Sequence, residues 1–243
     1  MDVGRVKYGG GCDGRRHFLE ATVNVPDLID FLQELRANNS REWFDRNRPR
    51  YDGLRADFLA AVTAILDRTA AVDEGVAGLS APDCLFRINR DIRFSKDKSP
   101  YKTTFSAMLV HGKKSTEAKP GYYVHIDADD DLIVAGGSYM PDMPSLTKFR
   151  KAIAEDVRGF RKIVEAANVK STFGPLGGES LKTVPREYGA DHPAADYLKL
   201  KGYILVSHSE ASALSGDALV DFVVDRFAAS TPLIRFLRAA LAE

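Results

Sequence analysis

Four consecutive segments near the middle of the chain alternate between apolar and polar residues, and this run constrains the fold more than any other feature. They span residues 84–94, 102–111, 122–127 and 132–140. Because alternate residues of a strand face opposite sides of a sheet, this period of two predicts half-buried β-strands. The connections between them are polar or glycine-rich, which favours an antiparallel meander. A fifth strand is predicted over residues 202–207.

Helical periodicity lies on both sides of the predicted strands. An apolar face begins at Leu28, with Asp27 as the predicted N-cap. After Ser40 we expect a short helical turn and then, beyond Pro49, a long amphipathic helix. Another helix is predicted to begin at Ser145, and two more close the chain. The sequence therefore predicts an α+β fold, an antiparallel sheet of about five strands flanked by N-terminal, central and C-terminal helices.

The length and composition predict one domain. The chain has 243 residues, of which 44% are hydrophobic, enough to bury one substantial core. Residues 25–243 are predicted to form a single globular α+β domain, and the glycine- and arginine-rich residues 1–24 a disordered tail. No window approaches the ~20 apolar residues that cross a bilayer, so no membrane contact is expected. Cys12 and Cys84 fit no disulfide or zinc spacing, which favours a cytoplasmic location and predicts no metal site.

Charge is balanced over the whole chain but concentrated in one segment. Lys plus Arg and Asp plus Glu number 34 each. This balance, together with the lack of zinc-finger, RNA-recognition or basic-helix motifs, argues against a nucleic-acid partner. Residues 87–102, however, hold six basic groups against two acidic ones, a local excess of 6 − 2 = +4. Such a concentration of donors on a predicted strand and turn indicates a site for an anion.

Three interpretations of this basic cluster remain open. In the first, it binds a small ligand that carries a phosphate or a carboxylate. In the second, the chain is an enzyme of unassigned chemistry, in which Asp91 or Glu42 acts as acid or base in the same cleft. In the third, the charges form a purely structural salt network. The predicted ligand-binding residues are Arg41, Arg87, Arg93, Lys96, Lys98, Tyr101 and Lys102.

Trp43 and Phe44 follow the predicted helix start at Ser40 and are interpreted as aromatic anchors. We expect Trp43 to be largely buried and to pack with its neighbours against Phe86 or Phe94, which the predicted strand would direct into the core. We interpret this segment as structural, because the asparagines and the serine that precede Trp43 are common at helix ends and need no functional explanation.

Several short segments taken together have a distinctive combination of residues. They are residues 35–44, 47, 51, 86–102, 120–126, 136–137, 140–141, 181–188, 191–193 and 198–201. In this combination the chain resembles the bacterial and fungal family called domain of unknown function 2461, from about Pro26 to the C-terminus. The resemblance implies an uncharacterised activity, and it supplies no catalytic residues.

Overall fold

The computed structural model describes residues 23–112 and 119–242. The predicted tail over residues 1–24 therefore lies outside the described part of the chain, except for its last two residues. Val23 is buried in the core, and the side chain of Asn24 caps the first helix by accepting a hydrogen bond from the Asp27 backbone amide. Residues 23 and 24 thus belong to the fold, and the N-cap of the first helix is Asn24 rather than Asp27.

The described residues form eight α-helices, one short 3₁₀ helix and a four-stranded sheet. The α-helices are α1 (Val25–Ala37), α2 (Arg41–Ala70), α3 (Ala81–Cys84), α4 (Met143–Glu155), α5 (Val157–Val164), α6 (Ala167–Phe173), α7 (Ala195–Leu198) and α8 (Asp217–Ala242). The 3₁₀ helix is Glu74–Val76, and the strands are β1 (Thr104–Leu109), β2 (Gly121–Asp127), β3 (Asp131–Ser138) and β4 (Tyr203–Glu210). None of the described helices has the length and apolar character needed to cross a membrane.

The sheet has the order β1-β2-β3-β4, and every neighbouring pair is antiparallel. This arrangement confirms the predicted α+β class and meander. One face of the sheet, with Phe105, Tyr122, Val134 and Leu205, is buried under the helices. The long helix α8 contributes to both hydrophobic clusters beneath that face. The opposite face carries half-buried polar side chains such as His125.

Two helices continue through prolines that were predicted to interrupt them. Ser40 caps α2 as expected, accepting a hydrogen bond from the backbone amide of Trp43, but the helix then runs through Pro49. Likewise α8 runs through Pro232. A proline in a helix interior costs about 3 kcal/mol, because it removes one hydrogen bond and crowds the preceding turn. Continuous burial on one side of each helix offsets this cost.

The predicted strand over residues 84–94 is absent, so the sheet has four strands where about five were predicted. The chain makes only isolated bridges here, Leu85 with Ala107 and Asn89 with Tyr101. The side chain of Asp91 instead accepts a hydrogen bond from the Arg93 amide two residues later. Such local bonds from aspartate compete with a strand ladder. Residues 85–102 form an irregular arm beside β1, which we call the basic arm.

Candidate functional site

A pocket of about 260 Å³ lies between α2 and the first residues of the basic arm. We call it the arginine pocket. It is lined by Phe44, Arg48, Tyr51, Arg55, Leu85, Phe86, Arg87, Ile88, Asn89 and Tyr101. The helical residues among these follow one another at intervals of three or four, which places them on one side of α2. The pocket therefore joins a helix and an arm that are far apart in sequence.

Aromatic rings form the inner wall of the arginine pocket. Phe44 and Tyr101 are buried and stacked, with ring centroids 4.1 Å apart and planes 20° from parallel. Tyr51 packs on Phe44 at 5.0 Å. Burial raises the pKa of the Tyr51 hydroxyl, and the neighbouring Arg55 guanidinium partly offsets this. The hydroxyl is therefore protonated at neutral pH and available as a hydrogen-bond donor.

Asn39 fixes Tyr101 in the wall. Its amide nitrogen donates to the Tyr101 carbonyl at 3.0 Å, and its side-chain oxygen accepts from the Tyr101 backbone amide at 3.1 Å. This double hydrogen bond replaces the strand partner that Tyr101 lacks on that side. Asn39 thereby joins the turn between α1 and α2 to the basic arm.

Three arginines line the pocket, Arg48 and Arg55 on α2 and Arg87 on the arm. Arg48 forms an exposed salt bridge of 2.8 Å with Asp45. Arg87 interacts electrostatically with Asp91 but makes no salt bridge with any residue that the structure describes. No carboxylate is among the described residues that line the pocket. The pocket thus concentrates positive charge over an aromatic wall.

Of the seven residues predicted to bind a ligand, Arg87 and Tyr101 line the arginine pocket. Arg93 points to solvent and forms a two-pronged salt bridge with Asp91, through Nε to Oδ1 at 3.0 Å and Nη2 to Oδ2 at 2.7 Å. The Lys98 ammonium donates to the Ile92 carbonyl at 3.0 Å. Both side chains therefore stabilise the arm itself, and neither lies in the pocket lining.

The other three predicted residues also lie outside the lining. Arg41 is the exposed first residue of α2, and Lys96 is exposed on the arm. The Lys102 ammonium lies over the ring of Phe86, 5.2 Å from its centroid. Phe86 is half-buried, and Phe94 is 94% exposed, so Phe94 does not serve the core as expected. The basic cluster is thus spread over the arm rather than gathered at one point.

Two ion pairs within the arm match the predicted salt network. Arg93 pairs with Asp91, and Arg90 pairs with Asp97. The hydrogen bonds from Arg93 lower the pKa of Asp91 to about 2. Hydrogen bonds from Ser99, together with the Arg90 pair, lower the pKa of Asp97 to about 2. A carboxylate this acidic is a weak base at neutral pH, which argues against Asp91 as a general base.

The remaining acid–base candidate, Glu42, is exposed in the first turn of α2 and does not line the arginine pocket. Among the described residues, no group of three or more His, Cys, Asp or Glu side chains is arranged to hold a metal ion. Arg48 and Arg55 were not predicted as site residues. The signal that would have found them is their helical spacing from Phe44 and Tyr51, which places all four side chains on one side of α2.

Comparison with known proteins places the chain in a family without an assigned activity. Neither curated proteins nor solved structures give a significant match. The sequence profile of a family described as a conserved hypothetical protein, DUF2461, matches residues 27–236. The match covers most of the chain and includes both α2 and the basic arm, and the chain therefore belongs to the DUF2461 family.

Proposed function

We propose that this chain binds a small anionic ligand, bearing a phosphate or a carboxylate, in the arginine pocket. The observation that carries the proposal is that Arg48, Arg55 and Arg87 line one pocket whose described lining holds no carboxylate. Neighbouring like charges repel each other in the empty pocket, and a bound anion relieves that repulsion. Planar guanidinium groups also match the geometry of phosphate and carboxylate oxygens.

The size and wall of the pocket support a ligand of metabolite size. Its volume of about 260 Å³ is near the lower end of small-molecule sites, which occupy about 300–1,000 Å³. The stacked rings of Phe44 and Tyr101 offer an apolar surface beside the guanidinium groups. The basic residues outside the lining add a local positive field that attracts an anion. They are Arg41, Lys96, Lys98 and Lys102, whereas the charge of Arg93 is balanced by Asp91. We also propose a cytoplasmic location, because the spacing of the two cysteines fits no disulfide.

The test compares the effects of anions on the thermal midpoint at one ionic strength. Phosphate should raise the midpoint more than chloride does, since a ligand that binds only the folded state stabilises it by RT ln(1 + [L]/Kd). At 100 times Kd this amounts to about 2.7 kcal/mol. Phosphate also strengthens apolar burial generally, so wild type alone does not decide the matter.

Two variants with the same change of charge separate the specific effect from the general one. Arg87→Gln removes a pocket guanidinium, whereas Arg93→Gln removes an exposed guanidinium outside the lining. We expect Arg87→Gln to lose the phosphate-specific part of the shift and Arg93→Gln to keep it. If both variants respond to phosphate as wild type does, the arginine pocket binds no anion. The charges would then be a structural network, as in the third interpretation of the sequence.

A further inference from the structure

Arg150 on α4 is a buried cation without a counter-charge in the described part of the chain. Its side chain is 4% exposed. The Nη2 group donates to the Leu200 carbonyl at 2.9 Å, and the guanidinium lies near the Tyr203 hydroxyl. Its Nε has no hydrogen-bond partner among the described residues, and no described carboxylate forms a salt bridge with it. Burying a charge is costly unless it is paired and hydrogen-bonded.

The same arginine lines a second pocket, of about 290 Å³. We call it the Arg150 pocket. Its other lining residues are Tyr139, Met140, Pro141, Met143, Leu146, Glu179, Leu181 and Lys201. It shares no lining residue with the arginine pocket, so the two sites are chemically independent. Arg150 therefore combines a buried Nε that lacks a hydrogen-bond partner with a place in the lining of a cavity.

The rim of the Arg150 pocket is unusually apolar for a surface. Tyr139, Met140 and Met143 are 65%, 69% and 65% exposed, and they are three of the five large hydrophobic side chains that are exposed in the described part of the chain. Clustered exposed apolar side chains mark binding surfaces, whereas single ones need no explanation. Methionine side chains are flexible and polarizable, so they adapt to apolar ligands of different shapes.

The remaining charges of the pocket cancel each other. Lys201 and Glu179 form a salt bridge of 3.0 Å, which leaves Arg150 as the unbalanced charge in the lining. A ligand with one negative charge would balance the buried cation, and a ligand with an apolar body would pack against the methionine rim. We propose that the Arg150 pocket binds an amphipathic monocarboxylate. Its carboxylate pairs with the Arg150 guanidinium, and its short aliphatic or aromatic body packs against Met140, Met143 and Leu146.

The test is a calorimetric titration of the whole chain with octanoate, with 1-octanol as the control that keeps the apolar body and removes the charge. We expect saturable binding of octanoate and at least tenfold weaker binding of octanol. Arg150→Met should weaken octanoate binding at least tenfold, and it should fold because an apolar side chain of similar volume can replace a buried charge. Lys151→Met removes an exposed cation at the next position of α4, outside both pocket linings, and should leave octanoate affinity unchanged.

A rim variant keeps the proposal falsifiable if Arg150→Met does not fold. Met140→Glu changes an exposed side chain, so the fold should survive, and the new carboxylate repels the ligand and removes apolar surface. We expect its affinity for octanoate to fall about tenfold. The proposal is overturned if octanoate fails to bind or binds no better than octanol. Affinity that is unchanged in Met140→Glu or in a folded Arg150→Met, or lost in Lys151→Met, overturns it as well.

Discussion

Asp73 connects three parts of the fold through one buried carboxylate, and replacing it with alanine tests that connection. Its side chain is 3% exposed and lies just before the 3₁₀ helix. It accepts hydrogen bonds from the Tyr122 hydroxyl on β2 and from Arg238 Nη1 on α8, each at 2.7 Å, and from the Gly75 amide at 3.1 Å. The first two partners are 49 and 165 residues away in sequence.

The expected loss of unfolding free energy in Asp73→Ala is near the lower end of the range for a broken buried ion pair. Removing one partner of such a pair costs about 3–5 kcal/mol. Here the Arg238 side chain is 25% exposed, so water can solvate part of the orphaned charge. Tyr122 keeps Thr231 as a hydrogen-bond partner at 2.9 Å. We therefore expect Asp73→Ala to lower the free energy of unfolding by about 3 kcal/mol. This should lower the thermal midpoint by about 6–12 °C for a chain of this size.

Urea unfolding measures this loss as a change in transition midpoint at constant m value. The matched control is Glu74→Ala, which removes an exposed carboxylate from the adjacent position and should change stability by less than about 0.5 kcal/mol. If Asp73→Ala costs less than about 1 kcal/mol, or no more than the control, the carboxylate does not hold these elements together. The packing of α8 against β2 would then have to rest on apolar contacts alone.

Two further predictions concern pH and the aromatic wall. Burial alone would raise the pKa of Asp73, but the hydrogen bonds from Tyr122 and Arg238 outweigh burial and lower this pKa. The stability that Asp73 adds is therefore present above pH ~3.9 and is lost as the pH falls through the folded-state pKa. In Asp73→Ala, the free energy of unfolding should therefore fall less steeply as the pH is lowered. Urea unfolding should show that Phe44→Ala lowers the free energy of unfolding by about 3–5 kcal/mol, because Phe44 is buried. Trp43→Ala should lower it by about half as much, because Trp43 is half-buried.

The alternation of residues predicted the meander because each strand has one face against the core. In β3, for example, Leu132 and Val134 are buried on the helix-covered face and Ile133 between them is only partly buried. The same period failed over residues 84–94, where the alternating polar residues are two arginines, an asparagine and an aspartate. A period of two is compatible with any extended chain, and it does not show whether the backbone groups find strand partners or local side chains.

Trp43 shows a second limit of sequence patterns. The sequence correctly placed it three residues after a serine cap, and this position fixes its direction on α2. Its ring packs against Phe31 of α1, with centroids 5.7 Å apart, rather than against Phe86 or Phe94 of the predicted strand. The direction of a side chain on its own helix follows from local geometry, whereas the identity of its neighbours depends on the angle between two helices.

The charge count over residues 87–102 does not show which of these charges are paired with one another. Within the arm, Arg90 and Arg93 are each paired with an aspartate. Of the six basic residues counted, Arg87 lines the arginine pocket, and Arg48 and Arg55 join it from α2. A count along the sequence adds charges that are neighbours in the chain, but a ligand responds to charges that tertiary packing brings together. The charge of the arginine pocket therefore depends as much on how α2 is held against the arm as on the arm itself.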